Sequence, residues 1–330
     1  MRPENQSSVS EFLLLGLPIR PEQQGVFFAL FLGVYLTTVL GNLLILLLIR
    51  LDPRLHTPMY FFLSHLALTD VSFSSVTLPK MLMNMQTRCQ AITYAGCISQ
   101  VYCFIFFGCL DSFLLAVMAY DRYVAVCHPL HYTAIMRDEL CVILVAGQPL
   151  HYAITMNSQR CILLVAGSWV VTTFHALVHT LLVTRLSFCG PNVIPHFFCD
   201  LVPLLKLACS STHVNDMVLI LVAGTLLIAP FVCILTSYFY IALAILGIDS
   251  PKGKQKAFSN CTSHLSVVSL FYTTAIGVYL CPPSSPSGGK DRVFSVMYMV
   301  VTPLLNPFIY SLRNRDIKGA LGKILRRNMF

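Results

Sequence analysis

Seven apolar runs dominate this chain, at about 26–49, 59–82, 98–120, 161–183, 215–246, 261–281 and 293–312. Each is close to the ~20 residues that a helix needs to cross ~30 Å of hydrocarbon. In lipid, every backbone N–H and C=O must find its partner inside the segment, so such runs fold as helices. The expectation is an all-α membrane protein. A seven-transmembrane helix bundle over 26–312 follows an N-terminal segment, 1–25, and precedes a tail, 313–330. The third, fifth and sixth helices are expected to extend past the bilayer. A soluble fold is excluded by composition. Hydrophobic residues make up 56% of the 330 and charged residues 11%, against roughly 25% charged in ordinary globular chains.

An odd number of spans puts the two termini on opposite sides. With the N-terminus outside, inner segments hold fourteen of the 22 Lys and Arg, and outer segments eight. That asymmetry predicts a multi-pass membrane protein with its N-terminus on the outer side. Asn5-Gln6-Ser7 is then a glycosylation acceptor on the correct side, at Asn5. The first 25 residues hold Arg2, Glu4, Glu11, Arg20 and Glu22, with no apolar core before a small-residue cleavage site. A removable signal peptide is not expected. The net charge of +8 is spread between the runs and not interleaved with aromatics, so nucleic acid is not an expected partner. In the tail, Ile317, Leu321, Ile324 and Leu325 share a helical face beside Lys318, Lys323, Arg326 and Arg327. This reads as a short amphipathic C-terminal helix on the inner membrane surface.

Residues 128–147 and 148–167 form a tandem duplication with a 20-residue offset. Each copy reads Pro-Leu-His-Tyr after its first residue, then Met136 or Met156, then Cys141 or Cys161, and ends Leu-Val-Ala-Gly. Two units are too few for a solenoid. After the first copy Gln148, Pro149 and His151 stop the apolar run. After the second it continues without a charge to Val183. The second copy is therefore expected to enter the membrane, leaving the first as extra length in the second inner loop.

Asp121-Arg122-Tyr123 closes the third run at its inner end. An Asp-Arg neighbour pair can ion-pair and hold a helix end at rest, leaving Arg122 to meet a partner on release. The stretch Met118-Ala119-Tyr120-Asp121-Arg122-Tyr123-Val124-Ala125-Val126-Cys127 resembles the third-helix signature of class A G-protein-coupled receptors, and specifically of olfactory receptors. Pro58-Met59-Tyr60-Phe61-Phe62-Leu63-Ser64 with Leu66-Ala67-Leu68-Thr69-Asp70 resembles that family's second helix. Lys256-Ala257-Phe258-Ser259-Asn260-Cys261-Thr262-Ser263-His264-Leu265 resembles its sixth, and Pro303-Leu304-Leu305-Asn306-Pro307-Phe308-Ile309-Tyr310 its seventh. The resemblance covers nearly the whole chain apart from one repeat unit.

The resemblance implies an odorant receptor, not an enzyme. It would bind small volatile, mostly apolar ligands and activate a heterotrimeric G protein of the stimulatory olfactory type, raising cAMP. The switch residues implied are Asp121, Arg122 and Tyr123 with Asn306, Pro307 and Tyr310. Proline at 307 removes one helix hydrogen bond and permits a kink. The implied ligand pocket lies in the outer half of the bundle between helices three, five and six. Phe104, Ile105, Gly108, Cys109 and Ser112 line it from helix three, and Tyr272, Ala275, Ile276 and Tyr279 from helix six. No carboxylate stands beside Phe104, which favours neutral or weakly polar ligands.

Asp70 and Asp111 are the acids placed within spans, where such groups are costly and usually functional. The family pattern implies a sodium pocket there, with Glu more usual at position 111. The alternative is two protonated acids bonded to Asn42, Ser112 or Asn306. No other cofactor is expected. Cys97, Cys189, Cys199 and Cys209 face the oxidising side, where disulfides persist. The family pattern implies Cys97–Cys199 and Cys189–Cys209, with Cys97–Cys209 as the alternative. His196, Cys199 and Asp200 make a weak metal set against that disulfide reading. His175 and His179 share a face of the fourth run with no third ligand.

Three other functions are possible for a chain with seven apolar runs. A transporter or channel predicts several polar helices and an inverted half-chain repeat, neither of which the sequence has. A membrane enzyme lacks HExxH, GxSxG and a phosphate loop. A receptor-like product with impaired signalling is the alternative that the duplicated inner loop raises.

Overall fold

The computed structural model describes residues 9–127, 158–279 and 289–327, without the side chains of some helical residues, among them Lys256, Asn260, Tyr279 and Ile324 to Arg327. Seven helices are long and apolar enough to cross a membrane. They are span 1 (Pro21–Leu51), span 2 (Pro58–Thr87), span 3 (Tyr94–Cys127), span 4 (Gln159–Thr184), span 5 (His213–Leu246), span 6 (Pro251–Val278) and span 7 (Arg292–Tyr310). Span 3 exceeds its apolar run at both ends, span 6 starts before its run and span 2 continues to Thr87, whereas span 5 ends with its run at Leu246. Asn5, the first repeat copy and the start of the second lie outside the described residues. Span 4 begins within the second copy, as Cys161 through Gly167 continue into its apolar stretch.

Local chemistry sets the helix ends. Pro58 occupies the first turn of span 2 after an extended Thr57, where its missing N–H costs nothing. Arg88 ends that helix in the left-handed region, φ 55°. Span 1 stops at a tight turn, Pro53–Leu55, in which the Asp52 carboxylate accepts from the Arg54 N–H and pairs with its guanidinium at 2.6 Å.

Span 3 is the axis of the bundle. Of its most apolar stretch 61% is buried, against 17% in span 5. Leu40, Leu163, Phe174, Ile220 and Leu246 instead point outward and are exposed, as lipid-facing positions must be. Between helices in lipid, close packing replaces the hydrophobic effect as the main attraction. Gly41 shows how: a Cβ there would lie 3.2 Å from the Pro307 ring, so span 7 seats against span 1 at a residue with no side chain.

Two spans are not regular. Leu219–Ala223 in span 5 and Met297–Val301 in span 7 are π-helical. In span 7 the Thr302 hydroxyl donates to the Met297 carbonyl at 3.1 Å, five residues back. Neither irregularity is marked by a glycine or proline within the stretch, so the apolar pattern gives no sign of it.

The end of the bundle that the charge asymmetry assigns to the outside carries a small sheet that hydropathy does not predict. Strand β1 (Glu11–Leu14) lies between β2 (Ala91–Thr93), which it pairs antiparallel, and β3 (Val193–Ile194), which it pairs parallel. Alternation buries Phe12 and Leu14 completely, with Phe12 edge-on to Phe188 at 5.3 Å. Disulfides join Cys97 to Cys199 and Cys189 to Cys209. A short outer helix, Leu201–Leu207, follows, with the Asp200 side chain accepting from the Leu201 N–H at 2.7 Å. At the inner end the tail helix, Arg315–Arg327, buries Ile317 and Ala320. Asn314 starts it by accepting from the Asp316 and Ile317 N–H groups, while Tyr60 of span 2 accepts from Asn314 Nδ2 and donates to Asp316.

Candidate functional site

The bundle interior holds two polar layers toward the end that carries Arg122. The lower one surrounds Arg122. Span 3 carries Arg122 with Asp121, which is buried. The neighbour pair is not closed as an ion pair: among the described residues Arg122 makes none, and its Nε is buried without a hydrogen-bond partner. Its charge instead reaches Tyr238 of span 5, His264 of span 6 and Tyr310 of span 7. The Tyr310 hydroxyl is also buried without a partner among the described residues.

His264 is the link between three helices. Its Nε2 donates to the Leu115 carbonyl of span 3 at 3.1 Å, since a carbonyl can only accept. That leaves Nδ1 as acceptor for the Tyr238 hydroxyl of span 5 at 2.8 Å. His264 lies in the motif that marks span 6, and a polar ring inside an apolar run is itself a signal of function. Its two partners could not be read from sequence because they lie 26 and 149 residues away.

A layer above, Asn306 donates from Nδ2 to both Asp70 oxygens at 3.0 and 2.9 Å. Asp111 is close enough for its charge to act on Asp70. Three buried oxygens around these acids have no partner among the described residues: Asp111 Oδ1, Ser74 Oγ and Asn306 Oδ1. Asn42 does not join them and donates to the Thr38 and Pro303 carbonyls. Ser112 does not join them either.

In the outer half, Ser112 Oγ and the Tyr272 hydroxyl are 2.8 Å apart and buried, joining spans 3 and 6. Around them lie Phe104, Ala275 and, from span 5, Phe231, whose ring is 4.5 Å from that of Tyr272. Phe104 packs on Phe73, Tyr298 and Phe198. Ile105 and Cys109 are half-buried. Gly108 lies under the Tyr298 hydroxyl: a Cβ there would meet it at 2.7 Å. Ile276 is 42% exposed and is not brought into this group. The Tyr279 side chain lies outside the described positions. Tyr298 and Phe198 line the same region, yet each sits in a segment that reads as span packing or loop.

The outer loop roofs this region. Cys199 donates its N–H to Gln100 at 3.1 Å beside its own disulfide. His196 is buried, with Nε2 3.2 Å from the Ser295 hydroxyl of span 7. Burial, aided by the Arg292 charge, pushes the imidazole down to about 3. Burial pushes the Asp200 carboxyl up to about 6, against the bond from Leu201. With Cys199 in a disulfide and Asp200 capping a helix, this stretch has no metal-binding set. Among the described residues no group of three or more His, Cys, Asp or Glu is placed to hold a metal. His175 and His179 are buried with rings 4.6 Å apart, His175 Nδ1 and His179 Nε2 having no hydrogen-bond partner among the described residues.

The whole chain is similar to known proteins. The sequence profile described as "Olfactory receptor" matches residues 31–328. "Olfactory receptor 1J1" of Homo sapiens is 63% identical over 99% of this chain and 96% of its own length. "Olfactory receptor 1J2" of Homo sapiens is 62% identical over 100% and 99%. "Olfactory receptor 1" of Rattus norvegicus is 60% identical over 98% and 97%. Among solved structures, squid rhodopsin superposes with a TM-score of 0.66 at 16% identity, covering 93% of this chain and 85% of that one. At that identity the likeness concerns the fold.

Proposed function

The chain belongs to the olfactory receptor family, with the seven-helix G-protein-coupled receptor fold, and on that premise we propose that it binds a small, weakly polar odorant between spans 3, 5 and 6 and activates a stimulatory G protein. The observation that carries the reading is the Ser112–Tyr272 hydroxyl pair, buried in a wall of aromatic and aliphatic side chains. A mostly apolar cavity with one or two fixed polar groups suits a volatile ligand. The plasma membrane, with the N-terminus outside, is its proposed location.

Activation is a population shift. The odorant binds better to the state in which the inner ends of spans 3, 5 and 6 are apart. The resting side of that equilibrium is held by His264, bonded to spans 3 and 5 at once. Opening frees Tyr238 and lets Arg122, the second inner loop and the Lys252–Lys256 stretch meet the G protein. Asn306-Pro307 and Tyr310 supply the bend in span 7. Sodium fits the layer above: Asp70, Asp111, Ser74 and Asn306 offer buried oxygens, three of them without a partner among the described residues. Hard cations favour such oxygen donors, and a bound ion would stabilise the closed arrangement.

Odorant-evoked cAMP in cells expressing the chain tests the reading. Arg122→Ala is expected to abolish the response at equal surface level, and an unchanged response would contradict the mechanism. The duplication supports a second reading, a receptor-like product with impaired signalling, because it lengthens the loop assigned to G-protein contact.

A further inference from the structure

Gly108, Asp111 and Ser112 share one face of span 3, the latter two standing three and four residues after the glycine. Ser112 is engaged with Tyr272, so Gly108 lies one turn further out on the wall of the proposed odorant cavity. Span 7 fills the space that its missing side chain leaves. A Cβ at 108 would lie 2.7 Å from the Tyr298 hydroxyl but 3.8 Å from the ring carbon that bears it, an ordinary contact. Only the hydroxyl needs the glycine.

The Tyr298 ring meets one aromatic ring from each of three other spans. It is 5.7 Å from Phe73 of span 2, 5.9 Å from Phe104 of span 3 and 5.5 Å from Phe271 of span 6. Tyr298 also belongs to the π-helical turn Met297–Val301. Such turns are rare and collect at functional sites. A return to α-helical pairing there would rotate the side chains that the turn carries.

A second seat for the hydroxyl lies one turn inward. Asp111 Oδ1 is buried and has no hydrogen-bond partner among the described residues. Asp111 is close enough to Tyr298 for its charge to act there. A buried carboxyl oxygen calls for a donor, and a tyrosine hydroxyl is one. Asn306 and Ser112, the neighbouring donors, are engaged with Asp70 and Tyr272.

We propose that Tyr298 is the positioning residue through which odorant occupancy reaches the acid layer: a ligand that takes the space over Gly108 displaces the hydroxyl, which then donates to Asp111 Oδ1. This rests on the odorant-binding reading of the cavity. The ligand binds better once the hydroxyl has moved, so occupancy shifts the population toward that state.

Gly108→Ala tests the move, because its methyl group takes the seat in place of a ligand. Ligand-free cAMP at matched surface level should rise several-fold, and adding Tyr298→Phe should remove the rise. Unfolding midpoints of the full chain in lipid nanodiscs read the move without signalling. The effect of Asp111→Leu should be less favourable by several degrees in the Gly108→Ala chain than in the parent, and Tyr298→Phe should abolish that difference. An equal effect of Asp111→Leu in both chains overturns the proposal. So does failure of Gly108→Ala to fold, since a hydroxyl with a second seat leaves room for one methyl group. The midpoint difference with unchanged cAMP, in cells where His264→Phe raises it, overturns Tyr298 as the route. The same difference with no cAMP change in any variant keeps the hydroxyl's move and removes the G-protein reading instead.

Discussion

Asn306 donates both of its shortest contacts to one carboxyl group, with Nδ2 3.0 and 2.9 Å from the two oxygens of Asp70. The pair ties span 7 to span 2 one residue before Pro307. A buried acid without a donor bears its full desolvation cost, about 1–3 kcal/mol or more. Asn306→Leu keeps the volume and removes the donor. The purified receptor should then unfold at a clearly lower temperature, while Asn306→Leu combined with Asp70→Leu should recover part of the loss. No recovery in the double variant would mean that the bond is not what Asn306 contributes.

The oxygens around that pair predict an ion response. Replacing choline chloride by sodium chloride at constant ionic strength should raise the unfolding midpoint of the parent chain. Asp111→Asn should abolish the increase. A midpoint blind to sodium in the parent chain removes the ion from the account and leaves two acids held by hydrogen bonds.

His264 holds spans 3, 5 and 6 through two bonds at 3.1 and 2.8 Å. Each neutral hydrogen bond is worth about 0.5–1.5 kcal/mol net, enough to shift a two-state equilibrium several-fold. His264→Phe should raise ligand-free cAMP several-fold at matched surface level, and Tyr238→Phe should raise it less, since the Leu115 bond remains. Unchanged basal cAMP in both would show that the link does not bias activity.

The outer loop gives a pH dependence whose sign can be worked out. Asp200 is raised from 3.8 to about 6 by burial. Its favourable share of stability is present in full below about pH 4 and is lost as pH rises through 6. His196 runs the other way: lowered to about 3, its share is full above the ordinary histidine value and is lost as pH falls toward 3. From pH 7 to 5 the two oppose each other. Asp200→Asn keeps an oxygen for the Leu201 N–H and removes the charge. Relative to the parent chain it should gain stability from pH 5 to 8, by at most about 3 kcal/mol. Unfolding midpoints across that range check it; parallel curves would show that Asp200 does not titrate there.

Helix count, the order of the spans and the key polar positions were legible because lipid makes length and polarity speak directly. Asp70, Asp111, Asn306 and Arg122 stand out as polar groups in apolar runs, and the structure gathers the first three into one layer. Partners were not legible where the bond crosses helices. Ser112 reads equally well as a neighbour of the acids, yet it faces Tyr272, 160 residues on. The strand at Glu11–Leu14 is too short to stand out from its surroundings, and its pairing depends on two loops that only the fold brings together. Ile276 reads like Ala275, its neighbour, but a helix turns about 100° per residue, which takes one inward and leaves the other exposed.

The duplicated segment gives the last prediction. Its first copy adds 20 residues, 128–147, to the second inner loop, directly after Asp121-Arg122-Tyr123 and the end of span 3. Leu140 through Gly147 is an eight-residue apolar run before Gln148 and Pro149, far short of the ~20 residues needed to span. Extra length in the loop proposed to meet the G protein is the reason to expect weaker coupling. Deleting 128–147 leaves the second copy to lead into span 4 unchanged. Odorant-evoked cAMP, normalised to surface receptor, should then rise several-fold. An equal response from both chains would show that the extra loop is tolerated, and the impaired-signalling reading would fall with it.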